Sequence, residues 1–182
     1  QLSRKLMLEL LHIEQYVDMV LTYQKLSDGS DYVFEKNDLD VMIKEAIRYL
    51  RLEFIERRIS LKYEPINRTI ITDKKWFEFV LKQLIGNALK YTRKGSIEIY
   101  LEDNCLCIKD DGIGIKESDL KRIFERGYTG SNGHDNKNSS GIGLYLCTNI
   151  VSNLGLKLSA TSSIGLGSVF KIDLSQDEKA KD

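Results

Sequence analysis

Where an apolar run ends, the chain reads Ile108-Lys109-Asp110-Asp111-Gly112-Ile113-Gly114-Ile115, two adjacent carboxylates followed by glycines at alternate positions. It demands a strand that stops, a backbone that turns sharply, and a carboxylate held at the turn. Glycine lacks Cβ, so Gly112 and Gly114 are free to take positive φ and to let a planar ring lie against the main chain, while the carboxylate accepts a hydrogen bond from that ring. The amino group of adenine suits. A plain Asp-Gly turn after a strand fits the same residues, so the meaning of the stretch rests on what else the chain supplies.

The helix period from Lys74 to Thr92, behind Asp73 as N-cap, puts Phe77, Leu81, Leu84, Ile85 and Ala88 on one face and Gln83, Asn87 and Lys90 on the other, with Tyr91 adjacent. Two amides and an ammonium in one row bind a metal through carbonyl oxygen and phosphate through ammonium and hydroxyl. An ordinary solvated face is the plain alternative. Strands Ser96 to Leu101 and Cys105 to Lys109, joined across Glu102-Asp103-Asn104 as a hairpin, deliver the carboxylate turn. Beyond it come a short helix, Lys116 to Ile123, then Phe124, then a polar, glycine-dotted run from Gly127 to Ser140. That run reads as disordered or as a lid, mobile without ligand, with His134 exposed to solvent.

Ser140-Gly141-Ile142-Gly143-Leu144 then opens an apolar helix to Leu154. The unpaired N–H groups of such a helix start bind anions, and glycines let phosphate oxygens reach them. No strand delivers this glycine pair, so it is not a dinucleotide fingerprint. Strands Leu156 to Ser162 and Ser168 to Leu174 flank a glycine turn at Gly165-Leu166-Gly167, and Ser175 to Asp182 reads as a frayed tail.

Ahead of these pieces, a helix from Leu2 to Leu26 is apolar at Leu6, Leu10, Ile13, Val17, Val20 and Leu21 and closes at Ser27-Asp28-Gly29-Ser30. Such a stripe needs a partner, either another helix or the following domain. His12, within it, reads as a surface or packing residue. Next follow a short strand from Tyr32 to Lys36, N-cap chemistry at Asn37-Asp38, and a helix carrying Val41, Ile43, Ala46, Ile47, Leu50 and Phe54 that ends at Glu56-Arg57-Arg58. Strands Ile59 to Tyr63 and Thr69 to Thr72 lie around Pro65, the only proline. The 27 basic and 27 acidic residues cancel, which excludes an overall field for nucleic acid or an anionic membrane and makes any phosphate binding local. Cys105, Cys107 and Cys147 lack metal-ligand spacing and read as packing residues. With no apolar run of spanning length, the chain is expected to be soluble, and its start without Met inside a helix reads as an excised piece.

Taken in order, Asn87-Ala88-Leu89-Lys90-Tyr91-Thr92, Asp110-Asp111-Gly112-Ile113-Gly114, Ile123-Phe124-Glu125-Arg126-Gly127, Gly141-Ile142-Gly143-Leu144 and Gly165-Leu166-Gly167-Ser168-Val169-Phe170 make the pattern specific. From Asp31 to Leu174 the chain resembles the catalytic ATP-binding domain of bacterial sensor histidine kinases. The preceding helix is similar to the second helix of that family's dimerisation and phosphotransfer hairpin. Gly127 to Gly133 and Ser139 to Leu146 most resemble the intramembrane-sensing kinases of the bacitracin-resistance type.

The resemblance implies a two-layer α/β sandwich of the histidine kinase, gyrase and Hsp90 type, with a mixed sheet on helices. It implies residues 1–29 as the truncated hairpin, 30–175 as the catalytic domain and 176–182 as a tail. ATP and Mg²⁺ are the implied cofactors. Asp110 would accept from the adenine amino group, Gly112 and Gly114 would permit its approach, and Asn87 would ligate Mg²⁺. Lys90 and Tyr91 would contact phosphate, Phe124 would pack at the lid hinge, and Gly141 and Gly143 would supply amides, with Ile115, Ile142 and Leu144 also at the nucleotide and Gln83 beside the chemistry. The implied partners are a response regulator, a second copy in the full-length protein, and a peptide-antibiotic ABC transporter, with no nucleic acid and no membrane contact by this piece. The implied place is the cytoplasmic side of a cell-membrane protein that senses antimicrobial peptides or envelope stress.

This chain departs from the family's pattern in three ways. The phosphorylated histidine, which precedes an acidic residue and then a proline, is missing, because His12 is followed by Ile13-Glu14-Gln15-Tyr16. Gln83 stands where related gyrase-type ATPases carry a catalytic Glu, so no carboxylate there activates water and steady hydrolysis is expected to be very slow. Asp111 replaces a usual Asn and is expected to add negative charge beside the nucleotide. A non-catalytic nucleotide-binding scaffold remains the alternative.

Overall fold

The computed structural model describes residues 2–27, 31–130 and 140–175. The expected turn at Asp28 to Ser30, His134 with most of the expected lid, and the tail after Ser175 lie outside the described residues. The chain forms two compact units, Gln1–Tyr32 and Val33–Asp182. The first is one helix, α1 (Leu2–Ser27), whose predicted stripe at Leu6, Leu10, Ile13, Val17, Val20 and Leu21 is exposed throughout.

The second unit contains β1 (Glu35–Asp38), α2 (Leu39–Arg57), β2 (Ser60–Tyr63), β3 (Thr69–Thr72), α3 (Lys74–Tyr91), β4 (Ser96–Glu102), β5 (Cys105–Asp110), α4 (Glu117–Leu120), α5 (Gly143–Asn153), β6 (Lys157–Ser163) and β7 (Gly167–Asp173). Five strands form one sheet in the order β2-β4-β5-β7-β6, with β2 parallel to β4 and every other pair antiparallel. Asp103 and Asn104, both at positive φ, turn β4 tightly into β5. On one face, Ile97, Ile99, Leu106, Ile108, Phe170 and Ile172 are buried, and α3 packs against β4 and β5 while α5 packs against β6. The other face is polar, with Lys171 Nζ 2.8 Å from Glu102 Oε2 and Lys109 Nζ 3.8 Å from Glu98 Oε2. This is the mixed sheet on helices that the resemblance implied. The cysteines are free thiols, with Cys107 and Cys147 buried and Cys105 partly so.

Several boundaries differ from expectation for physical reasons. β1 starts at Glu35, not Tyr32, because the Val33 N–H is taken by the Asp73 carboxylate at 2.8 Å and pairing begins only at Glu35 with Thr72. β1 and β3 form their own antiparallel ribbon, separate from the main sheet. Val41, in the first turn of α2, is exposed although the sequence reading places it in the apolar period, because the core-facing stripe runs through Leu39, Met42 and Ile43 instead. The short helix expected to reach Ile123 stops at Leu120.

Asp73 ties these parts together. It is buried, its Oδ1 accepts from the Trp76 N–H at 3.1 Å as N-cap of α3, and its Oδ2 accepts from Val33. Asp73→Ala strands both donors and is expected to cost about 2 kcal/mol of stability. A urea titration checks this, and an unchanged midpoint would contradict the assignment.

Candidate functional site

The site is built where β5 ends. Register places Ile97, Asp110, Ser168 and Ser162 in one row across β4, β5, β7 and β6, so the Asp110 side chain lies on the helix-facing side of the sheet. There it is 4 % exposed. Its Oδ1 accepts from the Gly112 N–H at 2.8 Å, a turn that its own side chain closes. Burial pushes its pKa up to about 6, although the N–H groups of Gly112 and Ser168 favour the ionised form; the neighbouring Asp111 charge raises it further. A buried carboxyl whose ionisation is opposed in this way, at the end of a strand beside a glycine loop, makes Asp110 a candidate site residue.

The glycines around it serve a purpose the sequence did not disclose. Gly112 is not at positive φ; a Cβ there would lie 2.5 Å from Asp110 Oδ1 and 2.7 Å from the Tyr91 carbonyl oxygen. Gly114 does take positive φ, 72°, and a side chain there would overlap the Ser163 carbonyl. The loop is thus pressed between the end of α3 and the end of β6. The Ile113 N–H donates to the Tyr91 carbonyl at 3.2 Å, and the Ile115 N–H donates to Ser162 Oγ at 2.8 Å. Ser162 also donates to the Gly167 carbonyl at 2.8 Å and lies 2.9 Å from Ser168 Oγ. Ser162, Gly167 and Ser168 therefore brace the loop. Sequence reasoning left Ser162 without a role and placed Gly167 and Ser168 only in a glycine turn and a motif of the resemblance, with no bracing role.

The two faces of α3 separate as its period requires. Phe77, Leu81, Leu84, Ile85 and Ala88 are buried, while Gln83, Asn87, Lys90 and Tyr91 are half-exposed. Burial holds the Lys90 ammonium below its usual pKa, and the Arg57 charge adds to this. Its Nζ stands 5.5 Å from the Tyr91 ring centroid. Gln83 reaches the start of α5, where a Cβ on Gly143 would come 2.7 Å from its Oε1. Gly141, Ile142, Gly143 and Leu144 are half-exposed. The ends of the segment between Gly127 and Gly141 are tied together by Gly127 N–H donating to the Gly141 carbonyl at 2.9 Å. Phe124 meets Phe170 edge to face at 6.5 Å, so it packs onto the sheet just before that segment.

Asp111 does not join this group. Its Oδ2 accepts from the Ser96 hydroxyl at 2.7 Å and the Ser96 N–H at 3.0 Å, and those bonds, the hydroxyl first, hold its pKa below the usual value. Its carboxylate fastens the start of β4. Ile115 is half-exposed, its backbone fixed by Ser162.

A buried carboxylate beside a braced glycine loop, an amide and ammonium row, and an open helix start thus bound one side of the second unit. The profile of the histidine kinase-, DNA gyrase B- and HSP90-like ATPases matches residues 72–178. The chain belongs to that ATPase family. The "Sensor protein kinase GraS" of Staphylococcus aureus strain MRSA252 is 33 % identical over 176 residues, covering 93 % of this chain and 51 % of the relative. The protein of that name from strain JH1 is 34 % identical over the same span. This chain therefore covers about half the length of those curated relatives. Among solved structures, the Acinetobacter baumannii histidine kinase AdeS matches with a TM-score of 0.67 and 20 % identity, covering 87 % of this chain and 75 % of that one. A nucleotide-free catalytic domain of histidine kinase ThkA matches at 0.65 and 22 %, covering 77 % and 95 %. The ATPase-family unit here is of the sensor histidine kinase kind, an ATP-binding domain. Within it the matched region includes Asn87, Lys90, Asp110, Gly112, Gly114 and Gly141 to Leu144.

Proposed function

We propose that the unit Val33–Asp182 binds ATP with Mg²⁺ and donates the γ-phosphoryl group to a histidine carried outside this chain, from which it passes to an aspartate of a response regulator. The observation that carries the proposal is Asp110, a buried carboxylate beside glycines, able to accept from an adenine amino group when ionised. Asn87, Lys90 and Tyr91 lie on the adjoining half-exposed face of α3, where an amide oxygen, an ammonium and a hydroxyl suit a polyphosphate. Ile115, Ile142 and Leu144 supply half-exposed apolar surface for the base and ribose.

Asn87 fits Mg²⁺ as a single oxygen ligand. No group of three or more His, Cys, Asp or Glu among the described residues would hold an ion unaided. That suits a metal which keeps several waters and takes its other ligands from substrate phosphates. When bound, Mg²⁺ supplies neutralisation of charge on the phosphates. The chain's own contribution is placement: Asp110 fixes the base, Lys90 offsets phosphate charge, and the N–H groups at Gly141 and Gly143 face the anion. The histidine nitrogen attacks the γ-phosphorus as its bond to the bridging oxygen breaks and ADP leaves. Gln83, an amide beside Gly143, takes no proton from water, which supports transfer to histidine over hydrolysis.

By the likeness to GraS and the bacitracin-resistance type, the chain is read as the cytoplasmic part of a membrane-anchored sensor of antimicrobial peptides or envelope stress. It acts as a dimer joined through the α1 stripe, alongside a peptide-antibiotic transporter. Asn87→Ala is expected to weaken ATP·Mg²⁺ binding about tenfold and adenosine binding hardly at all, because adenosine lacks phosphates. Calorimetric titration with both ligands checks it; equal losses would remove Asn87 from the metal.

A further inference from the structure

The main sheet has two edges, and they are built differently. β2 is four residues long, carries Lys62 in its middle and runs on to Pro65, the devices by which natural sheets blunt an edge. β6, at the other edge, is seven residues long, Lys157-Leu158-Ser159-Ala160-Thr161-Ser162-Ser163, in unbroken register with β7 from Lys157–Asp173 to Ser163–Gly167. It has no proline, no bulge and one charge, at its first residue. Among the described residues no other strand pairs with its outward side, although α4 packs against β6 and the Gly114 backbone lies close to the Ser163 carbonyl at its end. Lys157, Ser159, Thr161 and Ser163 are exposed, and Ile164, just past its end, is 64 % exposed.

We propose that β6 is a self-complementary edge through which two copies of this chain pair β6 to β6, antiparallel, joining their five-stranded sheets into one. The occupant follows from the strand's own pattern. Side chains alternate faces, so a twofold pairing that keeps apolar residues on the helix side must centre on a residue, and centring on Ala160 uses the whole strand. Ala160 then faces its twin, Ser159 faces Thr161 of the second copy, Leu158 faces Ser162, and Lys157 faces Ser163. The only charges of the strand sit at opposite ends of the joint. A net charge of zero leaves no overall repulsion between copies. No residue assigned to the nucleotide lies in this joint, although Ser162 within it holds the Ile115 N–H of the glycine loop, so the substitutions that test the joint are kept to positions 159–161.

Disulfide trapping on the whole chain tests the register. Ala160→Cys is expected to form a covalent dimer on mild oxidation, since directly opposed residues lie within disulfide reach. Thr161→Cys, displaced from its twin by two residues, is expected to form no covalent dimer, as is the unaltered chain with its partly exposed Cys105. Sedimentation supplies a second readout with exposed side chains only. The double change S159K/T161K sets lysine opposite lysine and is expected to weaken association roughly tenfold, whereas S159K/T161E sets opposite charges together and preserves it. Whatever α1 contributes is common to all four. Equal trapping of both cysteine variants, no trapping of Ala160→Cys, or equal association of the two charge variants would overturn the proposal.

Discussion

Asp110→Asn is expected to lose ATP and ADP affinity by roughly 10- to 100-fold while the domain stays folded, since a charged hydrogen bond typically contributes about 1.5–3 kcal/mol. The variant keeps the shape and an oxygen for the Gly112 N–H, so it removes charge with little change in packing. The wild-type carboxyl has its pKa pushed up to about 6 by burial, so its nucleotide affinity is expected to rise with pH and level off above that value, while the variant's stays flat. Stability is expected to move the other way. An acid whose native pKa lies above its unfolded value of 3.8 binds more protons in the native state between the two, so stability falls as pH rises through that window. About two pKa units correspond to about 3 kcal/mol. The unliganded wild type should therefore lose stability between about pH 4 and 6 relative to Asp110→Asn, which lacks this group. Urea melts at both ends of the window, with calorimetric titrations beside them, read both slopes. Affinity unaffected by the substitution, or wild-type stability rising relative to the variant, would remove Asp110 from the base site. The two slopes together would state a trade-off, a proposed ligand-recognising group held at a cost to the empty fold.

Local chemistry made much of this architecture legible. The period of α3 separates core from polar face, and Asp38 and Asp73 accept from Val41 and Trp76 as N-caps should. The β4–β5 hairpin lies where the Asp-Asn turn put it. Features that arise between distant segments stayed hidden. Pairing of β5 with β7 brings Ser168 to Asp110, and no local pattern marks a residue 58 positions away as a brace. Gly112 illustrates the same gap: freedom of φ explains Gly114, but the need at Gly112 comes from crowding by Asp110 Oδ1 and the Tyr91 carbonyl. Asp111 looked like charge beside the ligand until Ser96 was placed next to it by the parting of β4 and β5. Val33 and Phe34 have strand-forming side chains, yet the Asp73 carboxylate claims the Val33 N–H and the strand begins later.

Incubated with ATP and Mg²⁺, this chain alone is expected to gain no phosphohistidine, whereas a separately supplied helix bearing a histidine followed by an acidic residue and a proline is expected to be labelled. Transfer requires the acceptor nitrogen in line with the γ-phosphorus at near-contact distance, and misplacement by about an ångström costs on the order of a hundredfold in rate. His12 sits half-buried within α1 and is followed by Ile13-Glu14-Gln15-Tyr16, while His134 precedes Asp135 in a polar run with no proline near it. Asn87→Ala in the same mixture should reduce the label on the helix by about tenfold or more at subsaturating ATP, because the metal and the phosphates are then held less tightly. With an amide rather than a carboxylate at Gln83, water is expected to compete poorly, so ADP should accumulate in step with labelled helix and hardly at all without it. Radiolabel mapped by its acid lability separates the possibilities. Label on His12 would overturn the reading that the acceptor lies outside this chain, and an unlabelled helix alongside tight ATP binding would favour a nucleotide-binding scaffold without transfer.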